Sequence, residues 1–474
     1  MNIESGFFWR HETPEVEIPG RLVTRDDGTT IMELAGAITP EWEVRSHDLE
    51  TGRMSRVLAD DPADLLVHGA LNGRPSKVSL LGCTTTNRTR ISARERTVET
   101  QTIKVGRTMR GAWLTDDALF TGVRLRVAGI DAWADLPGAR LEEKENGGSA
   151  LHLDPFDLGS VTTSSGAKLE LDEQMVRRWR AGGETTFKRT VWVHLSNLPE
   201  LSYRRIDAEF VTAIVGYLSF ALGVSAALTS VEVLHDGEWI AVTHSGMSTD
   251  ALDSTFVGQA ILPLRDAGLG VLNNFLDLYR RVGPAIPITR DALSNERNAT
   301  LDTQVLELTT VAEGLHRDLH PEQERMSRED AARIRKLVGA ALKDESDPRY
   351  KDIVSGTVLN FLQEPNYKSR LSRLVEDVSE AMPDLCGDHK QWVDRANSAR
   401  NSFAHRKDGF IHESLIDEMY VLSQSMKWLF WGVLLLRSGV PADVLREKLK
   451  SNQRYIHFLR YARSTVPTIY GSES

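Results

Sequence analysis

The spacing of apolar residues changes once along this chain, near residue 290, and that change constrains the fold more than any other feature. Ahead of it, apolar and polar residues alternate in short runs, the period of a strand with one buried face. Residues 20–36, GRLVTRDDGTTIMELAG, are two such runs around Asp26-Asp27-Gly28, a hairpin signal. Residues 68–86 set strand formers between Gly and Pro, residues 185–195 alternate, and residues 232–244 are a second hairpin around Asp236-Gly237. Beyond residue 295 strand patterns stop. Leu301, Val305, Leu308, Ala312 and Leu315 recur at helical spacing before Pro321. Ser327 with Asp330 reads as a capping box that opens another helix. Leu371, Leu374, Val375 and Val378 mark a third, residues 391–404 a fourth, and Leu422, Met426, Leu429, Val433 and Leu436 a long apolar one. The fold class is therefore α+β: a β-rich sandwich or barrel-like domain over residues 1–290, then an all-α bundle over 291–474. Two helical insertions interrupt the first domain, at 210–228 and 269–282, and the tail 464–474 is expected to fray.

Charge and cysteine content narrow the function classes. A net charge of −10 provides no global attraction for nucleic acid, so an RNA-binding surface has to be local. Cys83 and Cys386 are far apart and without paired neighbours. That excludes a disulfide framework and a cysteine-rich zinc site, and fits a reducing compartment. The start, MNIESGFFWRHE, lacks the basic-then-apolar order of a signal peptide. Residues 210–228 are long enough to cross a bilayer. They contain Thr212, Gly216 and Ser219, and no second hydrophobic segment accompanies them, so they read as a buried helix running into a strand. A cytoplasmic protein without membrane association is expected.

The residues that carry chemistry lie in DRANSARNSFAHRKDG, Asp394 to Gly409. Arg400, Asn401 and His405 form the signature R-N-x-x-x-H near the C-terminal end of a helix. RNA is cut when a 2′-OH attacks the adjacent phosphate. That step needs a base for the hydroxyl proton, an acid for the leaving oxygen and positive charge on the phosphorane. Histidine titrates near neutral pH and serves as either proton carrier. Arginine is always charged, and its fork matches phosphate oxygens. Asn401 either orients the histidine or bonds the phosphate. The step requires neither a metal nor a cofactor. Geometry sets a condition: five positions on a straight helix turn about 140°, so Arg400 and His405 do not share a face. They converge only if the helix loosens near Ala404 or if two chains share the site.

This segment resembles the HEPN ribonuclease motif. Together with FFWRHETPEVEIPGRL, IMELAG, HGALNGRPSKVSLLGC and LSYRRIDAEFVTAIVGYLSFALG in the first half, the chain resembles the ApeA-type anti-phage proteins, with an ApeA N-terminal domain and a C-terminal HEPN domain. The resemblance implies an endoribonuclease that cuts host or phage RNA in abortive infection. It implies a homodimer or larger assembly whose site is built from both protomers, and a phage-derived trigger sensed by the N-terminal domain. It also points to Glu313, an acidic residue on the first HEPN helix, as a partner for Arg400.

Other readings stay in view. The helical domain could dimerise or hold RNA without cutting it, with a ligand-recognising β domain in front, and scattered tryptophans (Trp9, Trp42, Trp113, Trp133, Trp179, Trp192, Trp239) admit a glycan-binding domain. A second Arg-to-His pair, Arg189 and His194, sits in an alternating strand and reads as structural. His316 and His320 have the spacing of a metal pair, but Arg317 stands where a zincin has Glu. Arg333, Arg335 and Lys336 read as a solvated helix face, and Trp428 and Trp431 as core or dimer interface.

Overall fold

The computed structural model describes all residues except 40–41, 48–53, 59–63, 94–95, 137–138, 144–148, 154–158, 180–184, 249–259, 295–298, 360, 406–412 and 472–474; some flanking side chains, including those of 403–405, lie outside the description. The chain divides into two compact units, Met1–Leu218 with Ala226–Asn273, and Ser219–Ser225 with Asn274–Ser474.

The first unit is built on a closed barrel. Its strands are β1 (Asn2–Arg10), β2 (Ile18–Thr24), β3 (Thr30–Leu34), β4 (Leu65–Leu71), β5 (Lys77–Ala93) and β6 (Arg96–Val105). They pair antiparallel in the ring β1-β2-β3-β6-β5-β4, and β4 returns to β1. Of the two β-rich alternatives read from the sequence, the barrel is the one formed. Alternation supplies the lining: Phe8, Leu22, Met32, Val67, Val78, Leu80 and Ile103 have no exposed surface and come from all six strands. A barrel this small is filled by side chains, and burying each large aliphatic group stabilises it by roughly 1.5–3 kcal/mol.

Strand β5 is long enough to serve two neighbours in turn. Its first half pairs with β7 (Arg107–Arg110) and its second half with β6, so the sheet forks where Gly82 faces Gly106. From β7 the sheet continues antiparallel. Its next strands are β8 (Gly122–Val127), β9 (Ser160–Thr162), β10 (Lys168–Trp179), β11 (Thr185–Ser196), β12 (Leu228–His235) and β13 (Glu238–His244), in the spatial order β7-β13-β12-β8-β11-β10-β9. The β12–β13 turn has Asp236 at φ 49 and Gly237 at φ 82, the left-handed pair that a two-residue hairpin needs. Residues 203–222 are helical, ending in α1 (Thr212–Leu222), with Phe210, Ile214, Tyr217 and Leu218 buried. Strand β12 follows at Leu228. Among the described residues, no helix is long and apolar enough to cross a membrane. Helix α2 (Leu269–Val282), expected as a second insertion, belongs to the second unit from Asn274 onward, with Leu272, Phe275 and Leu276 buried.

The second unit is helical. Helix α3 (Leu301–Leu319) is followed by α4 (Arg328–Ala341), α5 (Tyr367–Ser379), α6 (His389–His405) and α7 (Glu413–Arg437). Helices α3, α5, α6 and α7 pack together. Their stripes meet in one core: Val305, Leu308, Ala312 and Leu315, then Leu371, Leu374 and Val378, then Trp392 and Ala396, then Leu422, Met426, Leu429 and Val433. Helix α4 opens with Ser327 Oγ accepting from the Asp330 amide and buries only Ala331, so Arg333, Arg335 and Lys336 face solvent. Three more helices follow: α8 (Ala442–Ser451), α9 (Gln453–Thr465) and α10 (Pro467–Tyr470). The last corrects the expectation of a frayed tail. Ile469 is buried, and its carbonyl accepts from the Asp388 amide at 2.6 Å. Gly387, at φ 53, permits that approach, because a Cβ there would lie 2.3 Å from the Ile469 oxygen.

Candidate active site

Helix α6 carries the motif. Asp388 caps it, with Oδ1 accepting from the Gln391 amide at 2.9 Å. Trp392, Ala396 and Ala399 form its buried stripe, and the two alanines let the helix pack closely. Trp392 Nε1 donates to Ser425 Oγ of α7 at 2.8 Å, which pins the helix. Arg400 follows Ala399 at the edge of the buried stripe and is partly exposed, while Asn401 is exposed. The helix is continuous through His405, without the loosening near Ala404 allowed for above. Arg400 and His405 therefore stay about 140° apart around one axis. The His405 side chain and the residues after it, Gly409 among them, lie outside the described residues.

Arg400 is held from two sides. Its Nη2 donates to Glu313 Oε2 at 3.1 Å, joining α6 to α3. Its guanidinium lies over the Tyr367 ring, 4.9 Å from the centroid, a cation–π contact with the first residue of α5. Burial pushes the Tyr367 hydroxyl well above its ordinary range, although the Arg400 charge opposes the shift. That hydroxyl has no hydrogen-bond partner among the described residues. So three helices fix one cation, and the structure brings together two of the four residues singled out in the sequence, Arg400 and Glu313.

The cluster extends further than the motif. Arg317, one turn beyond Glu313, donates to Glu313 Oε1 at 3.1 Å and lies 3.6 Å from Glu364. Glu364 also accepts from Arg370 at 3.2 Å. Arg370 is buried and donates through Nε to the Pro365 carbonyl at 2.9 Å. Burial, with the Arg317 charge second, pulls Arg370 below its ordinary value. Three guanidiniums and two carboxylates thus alternate in one cluster, from the partly exposed Arg400 to the buried Arg370. Sequence reasoning missed Tyr367, Glu364 and Arg370, and met Arg317 only as the residue that breaks a zincin pattern. The i, i+4 spacing of Glu313 and Arg317 was the available signal.

Two family models match the chain. ApeA N-terminal domain 1 covers residues 4–238, and Apea-like HEPN covers residues 306–444, a range that contains every residue of the Arg400 cluster. This is a chain of the ApeA type. No curated protein and no solved structure matches it. The remaining signals of the Apea-like HEPN domain are structural. His316 Nε2 meets Gln323 Oε1 at 2.6 Å, and His320 Nε2 meets Asp377 Oδ2 at 2.7 Å. No group of three metal-ligating side chains occurs among the described residues. Trp428 and Trp431 are buried, and Trp431 Nε1 donates to the Phe220 carbonyl at 2.9 Å.

In the ApeA N-terminal domain, Arg189 pairs with Glu173 across strands β10 and β11, and His194 Nδ1 lies 3.3 Å from Glu170. Trp9, Trp133 and Trp192 are buried, Trp113 is exposed under Lys77, and the side chains of Trp42 and Trp179 lie outside the described residues. A cavity of about 510 Å³ opens at the sheet fork, with Asp64, Arg107, Asp116 and Tyr203 in its wall. Arg107 stacks on the Tyr203 ring at 4.3 Å, and burial together with the Asp64 charge raises the Asp116 carboxyl.

Proposed function

We propose that this chain is an anti-phage defence protein acting by abortive infection in the cytoplasm, and that its HEPN domain is a metal-independent endoribonuclease. The observation that carries the reading is the Arg400 guanidinium. It is oriented by Glu313 and by the Tyr367 face, yet its side chain remains 36% exposed. A pre-oriented fork with free N–H groups is what a phosphodiester needs. In the reaction a histidine takes the 2′-OH proton and O2′ bonds to phosphorus. The P–O5′ bond then breaks, and a second proton carrier protonates O5′. The products are a 2′,3′-cyclic phosphate and a 5′-hydroxyl. Arg400 neutralises the phosphorane, Asn401 orients, His405 carries protons, and Glu313 holds Arg400.

An unbroken α6 keeps Arg400 and His405 of one chain on different faces, which supports a homodimer in which each chain's arginine meets the other's histidine. Leu415, Ile416 and Tyr420, exposed at the start of α7, are apolar surface suited to such a contact. The ApeA N-terminal domain restrains the nuclease until a phage-derived trigger is sensed. The test is in cells: express wild type, Arg400→Ala and His405→Ala, challenge with phages, and run total RNA on gels. Protection with RNA loss only in wild type supports the reading. Equal protection with intact RNA in all three would leave the HEPN domain as a non-catalytic dimerisation or RNA-holding module.

A further inference from the structure

Within the Arg400 cluster, Arg317 is the most exposed cation, with 57% of its side chain open against 36% for Arg400 and 6% for Arg370. Its bonds are also the most replaceable. Each of its two carboxylates has another arginine: Glu313 holds Arg400 at 3.1 Å, and Glu364 holds Arg370 at 3.2 Å. If Arg317 swings away, neither carboxylate is left unpaired, and only exposed ion pairs, which are weak, are lost. Arg370 lacks this freedom, because its burial and its bond to the Pro365 carbonyl fix it. Arg317 and Arg400 occupy the two oxygens of one carboxylate. Their guanidiniums are therefore separated by little more than a single anion.

We infer that Arg317 is a second phosphate contact on the same RNA strand, taking a phosphodiester adjacent to the one that Arg400 holds. The inference rests on the ribonuclease reading of the Arg400 site and adds a subsite to it. Glu313 occupies the place between the two arginines while RNA is absent. On binding, Arg317 exchanges an exposed carboxylate for a phosphate oxygen, and Glu313 keeps Arg400 in place. The strand then lies across the solvent side of α3 towards the start of α5. A local site of this kind is how a chain of net charge −10 would hold RNA.

The test is a salt titration of binding, which does not require cleavage. A fluorescein-labelled single-stranded 2′-O-methyl RNA, which lacks the attacking hydroxyl, is titrated with the full chain at several NaCl concentrations. Losing one single-strand phosphate contact should reduce the slope of log K against log salt by about 0.7. Arg317→Ala and Arg317→Gln are each expected to show that reduction, whereas Arg317→Lys keeps the wild-type slope. Thermal unfolding of the same samples checks that the variants are folded. A wild-type slope in both neutral variants, with a reduced slope in Arg400→Ala, overturns the Arg317 contact and leaves the Arg400 site standing. A wild-type slope in Arg400→Ala as well as in both neutral Arg317 variants overturns the RNA site and this subsite together.

Discussion

Replacing Glu313 with Gln tests whether the Arg400 clamp depends on a charge supplied by another helix. Gln keeps the size of the side chain and one acceptor oxygen, and the buried face of α3, with Leu308, Ala312 and Leu315, is untouched. Two charge-assisted bonds weaken, to Arg400 and to Arg317, both at 3.1 Å. Glu313 is 28% exposed and its partners 36% and 57%, so each pair contributes roughly 0.2–1 kcal/mol to folding. The expected loss of stability is about 1 kcal/mol. The effect on the fork is larger in consequence. A neutral bond is about half as strong as a charged one, so Arg400 spends more time away from the phosphate direction. If the site is the proposed ribonuclease, losing roughly 1–2 kcal/mol of transition-state stabilisation slows RNA cleavage about 5- to 30-fold. Urea unfolding of the full chain gives the first quantity, and the rate of RNA loss in induced cells after phage challenge gives the second. Wild-type cleavage at nearly wild-type stability would refute the clamp. A stability loss above about 3 kcal/mol, with cleavage lost in proportion, would make Glu313 a folding residue instead.

Two further outcomes follow from the same helices. Ser425→Ala removes the acceptor for Trp392 Nε1, and both side chains are buried, so unfolding should become easier by about 1–3 kcal/mol, seen as a lower urea midpoint at unchanged slope. Burial depresses His316 below its ordinary 6.5, against the opposing bond to Gln323. Its folded form resists a proton that its unfolded form accepts, so its contribution to stability is complete above pH 6.5 and is lost as the pH falls below that value. In His316→Gln the acid-side slope of stability against pH should fall by up to about 1.4 kcal/mol per pH unit, and an unchanged slope would exclude His316 as its source.

Most of the secondary structure was legible because period is a local property. Helix α2 and helix α3 have the limits that their apolar spacing marks, and the turns at Gly28 and Gly237 lie where Asp-Gly pairs announced them. The tail was misread because its four-residue helix has no period of its own. It is ordered by contacts of Ile469 and by the close approach of Gly387, which no local pattern encodes. The motif on α6 was visible as Arg400, Asn401 and His405. Tyr367 and Arg370 were not, because a tyrosine that opens a helix and an arginine on an amphipathic one are ordinary until their neighbours are known.

By itself, then, the order of residues determined where strands give way to helices, which faces are apolar, and which helix carries an Arg-Asn-x-x-x-His signature, since each depends on side chains a few positions apart. Only the tertiary structure decided that alternating strands close into a six-stranded ring, because closure depends on β6 finding both β3 and β5. Only the tertiary structure decided that the Tyr367 ring also holds Arg400, beside the Glu313 that the resemblance had named. Glu313 lies 87 residues away in sequence, and its 3.1 Å bond to Arg400 exists because the buried stripes of α3, α5, α6 and α7 share one core and leave charged edges no other place to meet.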